Sequence, residues 1–242
     1  MFFPRNHFFL TLHKNKVMAK KIKSYTENEL KQMFGLKRLV GNNKMPLMQE
    51  WVSATATLNS GEQYLFDIIT NDLPRKIMGW NEEMLKMNFI SPLLILGHIL
   101  ETEEYKPFYE SAMEATVNDN FLKVRADMTI ATGDSEIPEE PYFYFLQWES
   151  FGQEYKKVKE PKGDPTAQIL EAFLIAQEKN KITRPLYGCT VYGREWEFFV
   201  MEGTTYCISN AYNCTDNDDL MKIIAILRKF KEILETRLLI AK

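Results

Sequence analysis

Hydrophobic and polar positions change their period partway along the chain. Up to about residue 105 the apolar residues recur at helical spacing, and beyond it they alternate. Thr26-Glu27-Asn28-Glu29 has the form of a capping box and predicts a helix over Glu27 to Leu36. A short helix is expected around Pro46 to Ala54. Ser60-Gly61-Glu62-Gln63 reads as a second capping box. The helix it opens carries Leu65, Ile68, Ile69 and Leu73 until Pro74 breaks it. Asn81 caps the next helix, NEEMLKMNFISPLLILGHIL, whose stripe holds Met84, Leu85, Met87 and Phe89. Glu114 to Asn118 predicts a short strand. In FLKVRADMTIA, Val124, Ala126, Met128 and Ile130 fall on one face of a second strand. Lys123, Arg125, Asp127 and Thr129 fall on the other. PYFYFLQWES is a further strand, rich in aromatic residues. Asp164-Pro165 marks an N-cap and first helical position, with the helix running to about Lys179. PLYGCTVYG and REWEFFVME give two more strands, TTYCISNAY follows the turn at Gly203, and a long helix spans Asp216 to about Leu239. The order predicts one mixed α/β domain over residues 18–242, with a helical part (18–105) and a core (106–242), behind an arm of residues 1–17.

Composition narrows the function classes. The 242 residues are 45% hydrophobic and 26% charged, enough for one large domain. No apolar run approaches the ~20 residues that span a bilayer. The longest candidate, Phe89 to Leu100, is interrupted by Pro92 and His98, so no membrane association is expected. Near the N-terminus, Arg5, His7 and His13 break up the apolar residues and no small-residue cleavage site follows. That argues against a secretory signal and for a cytoplasmic protein. The three cysteines form no CxxC pair and read as free thiols. The three histidines all precede residue 100, which argues against a zinc site. A net charge of −3 is unlike a strong non-specific nucleic-acid binder, although KKVKEPK at 156–162 is a local basic patch.

Four features carry candidate chemistry. Asp127 is an acid in mid-strand, where aspartate is disfavoured. Its bland alternative is a solvated surface carboxylate. Antiparallel pairing across the 132–140 loop sets Phe145 near Asp127, Gln147 opposite Arg125 and Glu149 opposite Lys123. Carboxylates converging on one face suit Mg²⁺, a hard cation that takes oxygen ligands, activates water and stabilises phosphoryl charge. Glu154-Tyr155-Lys156 places a carboxylate and an ammonium two apart, and is otherwise a charged turn. An unbroken strand sets that pair on the opposite face from Glu149, a parity that a bulge at Gly152 would flip. Gln168 lies early in the helix DPTAQILEAFLIAQEKN, where a surface glutamine is the plain reading.

Asp on one strand, an acid at the end of the next, and a helix opened by a glutamine together resemble the PD-(D/E)XK (restriction-endonuclease-like) nuclease superfamily, and a bacterial group within it. SYTENELKQMFGL, NEEMLKMNFISPLL, PYFYFLQ, DPTAQILEAFLIAQEKN, PLYGCTVYGREWEFFVMEG and YCISNAY carry the likeness over most of the chain. The resemblance implies an α/β fold with an αβββαβ core, a mixed sheet, an N-terminal helical portion and a long C-terminal helix. It implies that Asp127 is the family aspartate, Gln168 the family glutamine, and Glu83 or Glu82 the helix glutamate. It also implies Mg²⁺, with Mn²⁺ as substitute, DNA as partner, and a homodimer as the form in which such nucleases cut duplexes.

The sequence departs from the family at its Glu-x-Lys motif. Matched by distance from PYF, the motif falls on Gln147 and Glu149; matched by residue type, it falls on Glu154 and Lys156 with several residues inserted. Strand geometry favours the first match. Glu149 is then the second metal carboxylate, and Lys156 a substitute for the lost ammonium. A glutamate cannot supply the positive charge that lysine brings to the attacking water or the transition state. Two functions stay open: a metal-dependent DNA phosphodiesterase, or a relative that kept the fold as a nucleic-acid-binding or protein-interaction module.

Overall fold

The computed structural model describes residues 24–133, 138–148 and 164–240. In chain order it begins with α1 (Glu27–Phe34), β1 (Lys37–Leu39), α2 (Pro46–Val52), α3 (Ser60–Thr70), α4 (Leu73–Lys76), α5 (Glu82–Leu85) and α6 (Ser91–Leu96). Three long strands follow: β2 (Lys106–Val117), β3 (Asn120–Thr132) and β4 (Glu140–Trp148). Then come α7 (Pro165–Asn180), β5 (Leu186–Tyr192), β6 (Glu195–Glu202), β7 (Thr205–Ile208), the two-residue β8 (Tyr212–Asn213) and α8 (Asn217–Ile233).

The eight strands form one mixed sheet in the order β1-β7-β6-β5-β4-β3-β2, with β8 beside β6. β2, β3 and β4 are antiparallel neighbours. α7 then crosses over so that β5 lies parallel to β4. A parallel pair needs such a crossover, and its helix must pack back on the sheet.

Helices pack on both faces of the sheet, while β2 and the first half of β3 leave Phe121, Lys123 and Arg125 exposed on one face. On the first, α2, α3, α6 and α8 close over Phe143, Phe145, Tyr187 and Phe198. Trp51 sits at the centre of that layer. Its indole N–H donates to the Ile226 carbonyl at 2.8 Å, and its ring meets Phe143, Tyr187, Phe198 and Phe230 at 5.0–6.3 Å. On the second face, α1 and α7 cover Leu122, Val124, Ala126, Tyr144, Leu146 and Phe199. Gly188 permits that close approach. A Cβ there would lie 2.8 Å from Ile169 Cδ1 and 2.8 Å from the Tyr144 carbonyl oxygen.

The local chemistry matches the elements it predicts, with corrections. Thr26 and Glu29 form the expected capping box, and Gly35 ends α1 at φ 65°. The cap of α3 is Asn59 rather than Ser60. Its amide oxygen accepts from Gly61 and Glu62 at 2.9 and 3.0 Å, and Glu62 returns the bond to Asn59 N–H at 2.8 Å. Asp164 caps α7 and Asp216 caps α8. The segment NEEMLKMNFISPLL is not one regular helix. A π-turn over Lys86–Ile90 separates α5 from α6, just ahead of Pro92, which has no N–H to give.

Three strand expectations change. β2 covers twelve residues rather than the short stretch from Glu114, because a phase break at Glu110 conceals its alternation. β1, three residues long, lies parallel to β7 and has no periodicity to announce it. Val124 and Ala126 do not share a face with Met128 and Ile130; the first pair packs in the α7 layer and the second in the α8 layer.

Candidate active site

Asp127 sits where β3 changes phase. Leu122, Val124 and Ala126 enter one core, and Met128 and Ile130 enter the other. The partner strand changes phase at the same level. The pairs Tyr109↔Met128 and Ser111↔Ala126 flank the position at which Glu110 faces Asp127, and Glu110 has φ 53°. That left-handed conformation is uncommon for a residue other than glycine.

The β3–β4 register explains what the Asp127 carboxylate does. Pairing starts as Thr132↔Glu140 and Ala131↔Pro141, then shifts by one residue between Ile130 and Ala131. Phe145 therefore pairs with Met128, not with Asp127 as the unshifted register predicts. The ladder ends there. Beyond it, Asp127 Oδ2 accepts the Gln147 backbone N–H at 2.7 Å. A short bond to an ionised carboxylate is among the stronger hydrogen bonds. The side chain thus stands in for a missing strand carbonyl, which gives a local reason for an acid in mid-strand.

The other oxygen faces a cation. Lys86 Nζ is 3.5 Å from Asp127 Oδ1 and 2.9 Å from Glu110 Oε1, while Arg125 Nε is 2.9 Å from Glu110 Oε2. Exposure of the four side chains rises outward, from 18% at Asp127 and 22% at Lys86 to 44% at Glu110 and 66% at Arg125. The inner pair is therefore the one shielded from bulk water, where charge interactions are strongest. The Lys86 hydrogen bond holds the Glu110 carboxyl below the usual carboxylate range, against partial burial and with help from Arg125. Lys86 opens the π-turn. Its neighbour Phe89 meets Trp196 edge-on at 6.4 Å, and Trp196 meets Phe145 at 5.6 Å, so an aromatic floor fixes the turn.

The predicted residues fall as follows. Asp127 and Gln147 are brought into contact through the Gln147 backbone. The Gln147 side-chain oxygen is enclosed and has no donor among the described residues. Glu83 is exposed, three residues ahead of Lys86. Gln168 is half-buried on α7, in the layer on the other side of the sheet from Lys86. Glu149, Glu154 and Lys156 lie outside the described residues. Among the described residues, no group of three or more His, Cys, Asp or Glu side chains is arranged to hold a metal ion. The acids that converge there are Asp127 and Glu110, joined through Lys86. Lys86 and Glu110 were not legible as site residues: one lies in a helical stripe, the other in a stretch without alternation.

Two further polar centres are present. Asp164 caps two helices at once, accepting from Ala167 N–H at 3.2 Å in α7 and from Glu27 N–H at 2.8 Å in α1. Glu27 also takes the Tyr206 hydroxyl and pairs with Arg38 at 3.2 Å. An acidic pocket of about 770 Å³, lined by Glu101, Glu103, Glu104, Lys106, Glu139 and Glu140, opens where β2 and β4 begin and β3 ends, and Asp127 does not line it. The three cysteines are buried free thiols, and among the described residues no helix is long and apolar enough to cross a membrane. Compared with known families and with curated proteins, the chain matches no family model and no curated protein.

Proposed function

We propose that the chain is a restriction-endonuclease-like protein acting as a metal-dependent DNA phosphodiesterase centred on Asp127. One observation carries the reading: Asp127 stands where β3 parts from β4, whose other edge pairs in parallel with β5, and it has one oxygen on the Gln147 backbone and the other facing Lys86. The order of three antiparallel strands, a crossover helix and a parallel strand supports the same reading. In it, Asp127 supplies a carboxylate to Mg²⁺ or Mn²⁺, which would lower the pKa of a bound water and neutralise charge on the phosphoryl group. Glu149 or Glu154, both outside the described residues, would be the second carboxylate of that reading.

The enclosed amide of Gln147 favours a second reading. It stands on β4 beside Asp127, where a metal site calls for an acid. A protein of this fold without the chemistry would bind nucleic acid or another protein.

Nicking of supercoiled plasmid, with Mg²⁺ and with Mn²⁺, separates the two. The phosphodiesterase reading expects nicking by the wild type and a loss of at least about 100-fold in Asp127→Ala. Equal nicking by the variant, or none by either protein with either metal, would end it. Retained DNA binding without nicking would favour the second reading.

A further inference from the structure

Two acidic runs far apart in the chain, Glu101-Thr102-Glu103-Glu104 and Glu139-Glu140, meet in the cleft of about 770 Å³ where β2 and β4 begin. We propose that this cleft binds a linear polyamine, an organic cation whose ammonium groups are spaced along a methylene chain. The cleft is separate from the Asp127 centre, since Asp127 does not line it. Local contacts hold both runs in place. Thr102 Oγ1 accepts from the backbone N–H groups of Glu104 and Tyr105 at 3.2 and 3.1 Å, and the Tyr105 hydroxyl donates to Glu235, beyond α8, at 3.0 Å. Asn180, the last residue of α7, donates to the Glu139 carbonyl at 2.6 Å.

Charge on the lining is one-sided. Among the described residues, Lys106 is the cation that lines the cleft, and Arg184 meets its rim through Glu140 at 3.2 Å. Arg184 is matched there by Glu140 and by the Pro141 carbonyl at 2.9 Å, so it does not cancel the other acids. The carboxylates of Glu101, Glu103, Glu104 and Glu139 enter no ion pair among the described residues. They are spread out: no three acids among the described residues are arranged to hold one metal ion. Spread carboxylates suit a ligand whose charges are also spread, and not a point cation that gathers its oxygens at one centre. The volume is that of a small-molecule site, and Tyr105 and Leu239 give apolar wall to the methylenes.

The inner wall offers a polar atom in want of a partner. Tyr142 is 0% exposed, and its hydroxyl has no hydrogen-bond partner among the described residues. The residue sits in the one-residue shift of β4, between Pro141 and Phe143, and its ring lies under the Arg184 guanidinium, 3.9 Å from the centroid. The hydroxyl faces the Glu140 carboxylate, which lines the cleft. Burial and that carboxylate push it up to about 12, so it keeps its proton. An enclosed hydroxyl without a partner is unfavourable until another polar group reaches it. An ammonium lodged beside Glu140 supplies that group, donating to the phenol oxygen and to the carboxylate together, while the rest of the cation runs out past Glu103 and Glu104.

Calorimetric titration of the full chain with spermidine, alone and against Mg²⁺ at matched ionic strength, tests the cleft, with thermal unfolding run in parallel. Wild type is expected to saturate at one spermidine per chain and to melt higher when it is bound. The double variant Glu103→Gln/Glu104→Gln, altered at two exposed positions, should bind about fivefold more weakly or worse. Tyr142→Phe should bind about three- to tenfold more weakly, yet melt no lower than wild type without spermidine, because it removes an unpartnered hydroxyl. Mg²⁺ should not displace spermidine. Absence of saturable spermidine binding, or wild-type affinity in the double variant, would overturn the proposal. Wild-type affinity in Tyr142→Phe, or displacement by Mg²⁺ at matched ionic strength, would overturn it too, since either result describes a diffuse acidic surface and not a fitted cleft. Plasmid nicking reads the Asp127 centre and is decided independently of all four results.

Discussion

At the scale of single residues, the polar groups that matter are those that have left water. Glu171, on the buried side of α7, is 4% exposed and accepts the Tyr25 backbone N–H. Burial pushes its pKa from 4.5 up to about 8, with the Tyr25 bond opposing. The native state therefore holds a proton that the unfolded chain releases near pH 4.5. Stability is full below that value, declines as pH rises, and has lost on the order of a few kcal/mol above pH 8. Glu171→Gln keeps the acceptor and removes the titration. Thermal unfolding should place the variant close to wild type at pH 5 and clearly above it at pH 9. Equal melting temperatures at pH 9 would sink this account. Asp127 and Glu171 show how unevenly residue-level facts can be read from sequence. An acid in mid-strand stands out by its type. Glu171 lies in an ordinary helical stretch, and only the packing of α1 against α7 makes its charge costly.

Elements fail or hold by their fit to neighbours. α7 lies close on β4 and β5 because Gly188 leaves room for Ile169 and for the Tyr144 carbonyl. Gly188→Ala puts a methyl group 2.8 Å from both, and the carbonyl cannot retreat without breaking strand pairing. The expected cost is about 1–3 kcal/mol, read from the urea midpoint at unchanged slope. A variant as stable as wild type would show that α7 shifts freely. Most elements were legible. The caps at Thr26, Asp164 and Asp216 and the alternation around Val124 give their places. What stayed hidden has a common cause. β1 is too short for a period, the one-residue shift at Ile130 leaves no trace in alternation, and β2 loses phase at Glu110. The predicted pairing of Asp127 failed for that reason and not because the strands were misjudged.

For the whole molecule, the sheet is a shared wall between two cores, and Trp51 joins the N-terminal helices to it. Four ring contacts and one hydrogen bond converge on that side chain. Trp51→Ala should cost about 3–5 kcal/mol. Amide exchange is expected to rise first in α2, α3 and α6 while β3 and α7 stay protected, because the second core does not use Trp51. Uniform loosening of both layers would contradict this division. The same division bears on the site: Lys86 comes from the Trp51 layer, and Asp127 from the wall. Loss of Trp51 should therefore weaken that pairing from a distance.

The left-handed residue at Glu110 also governs the rim of the sheet. β2 is an outer strand, and among the described residues nothing pairs along its far side. Twelve residues of open backbone would invite another chain to zip on, end to end. The twist at Glu110, with Pro107 lacking an N–H, cuts that row of donors and acceptors into short pieces. One backbone angle thus orients a carboxylate toward a lysine and keeps the edge from becoming a template.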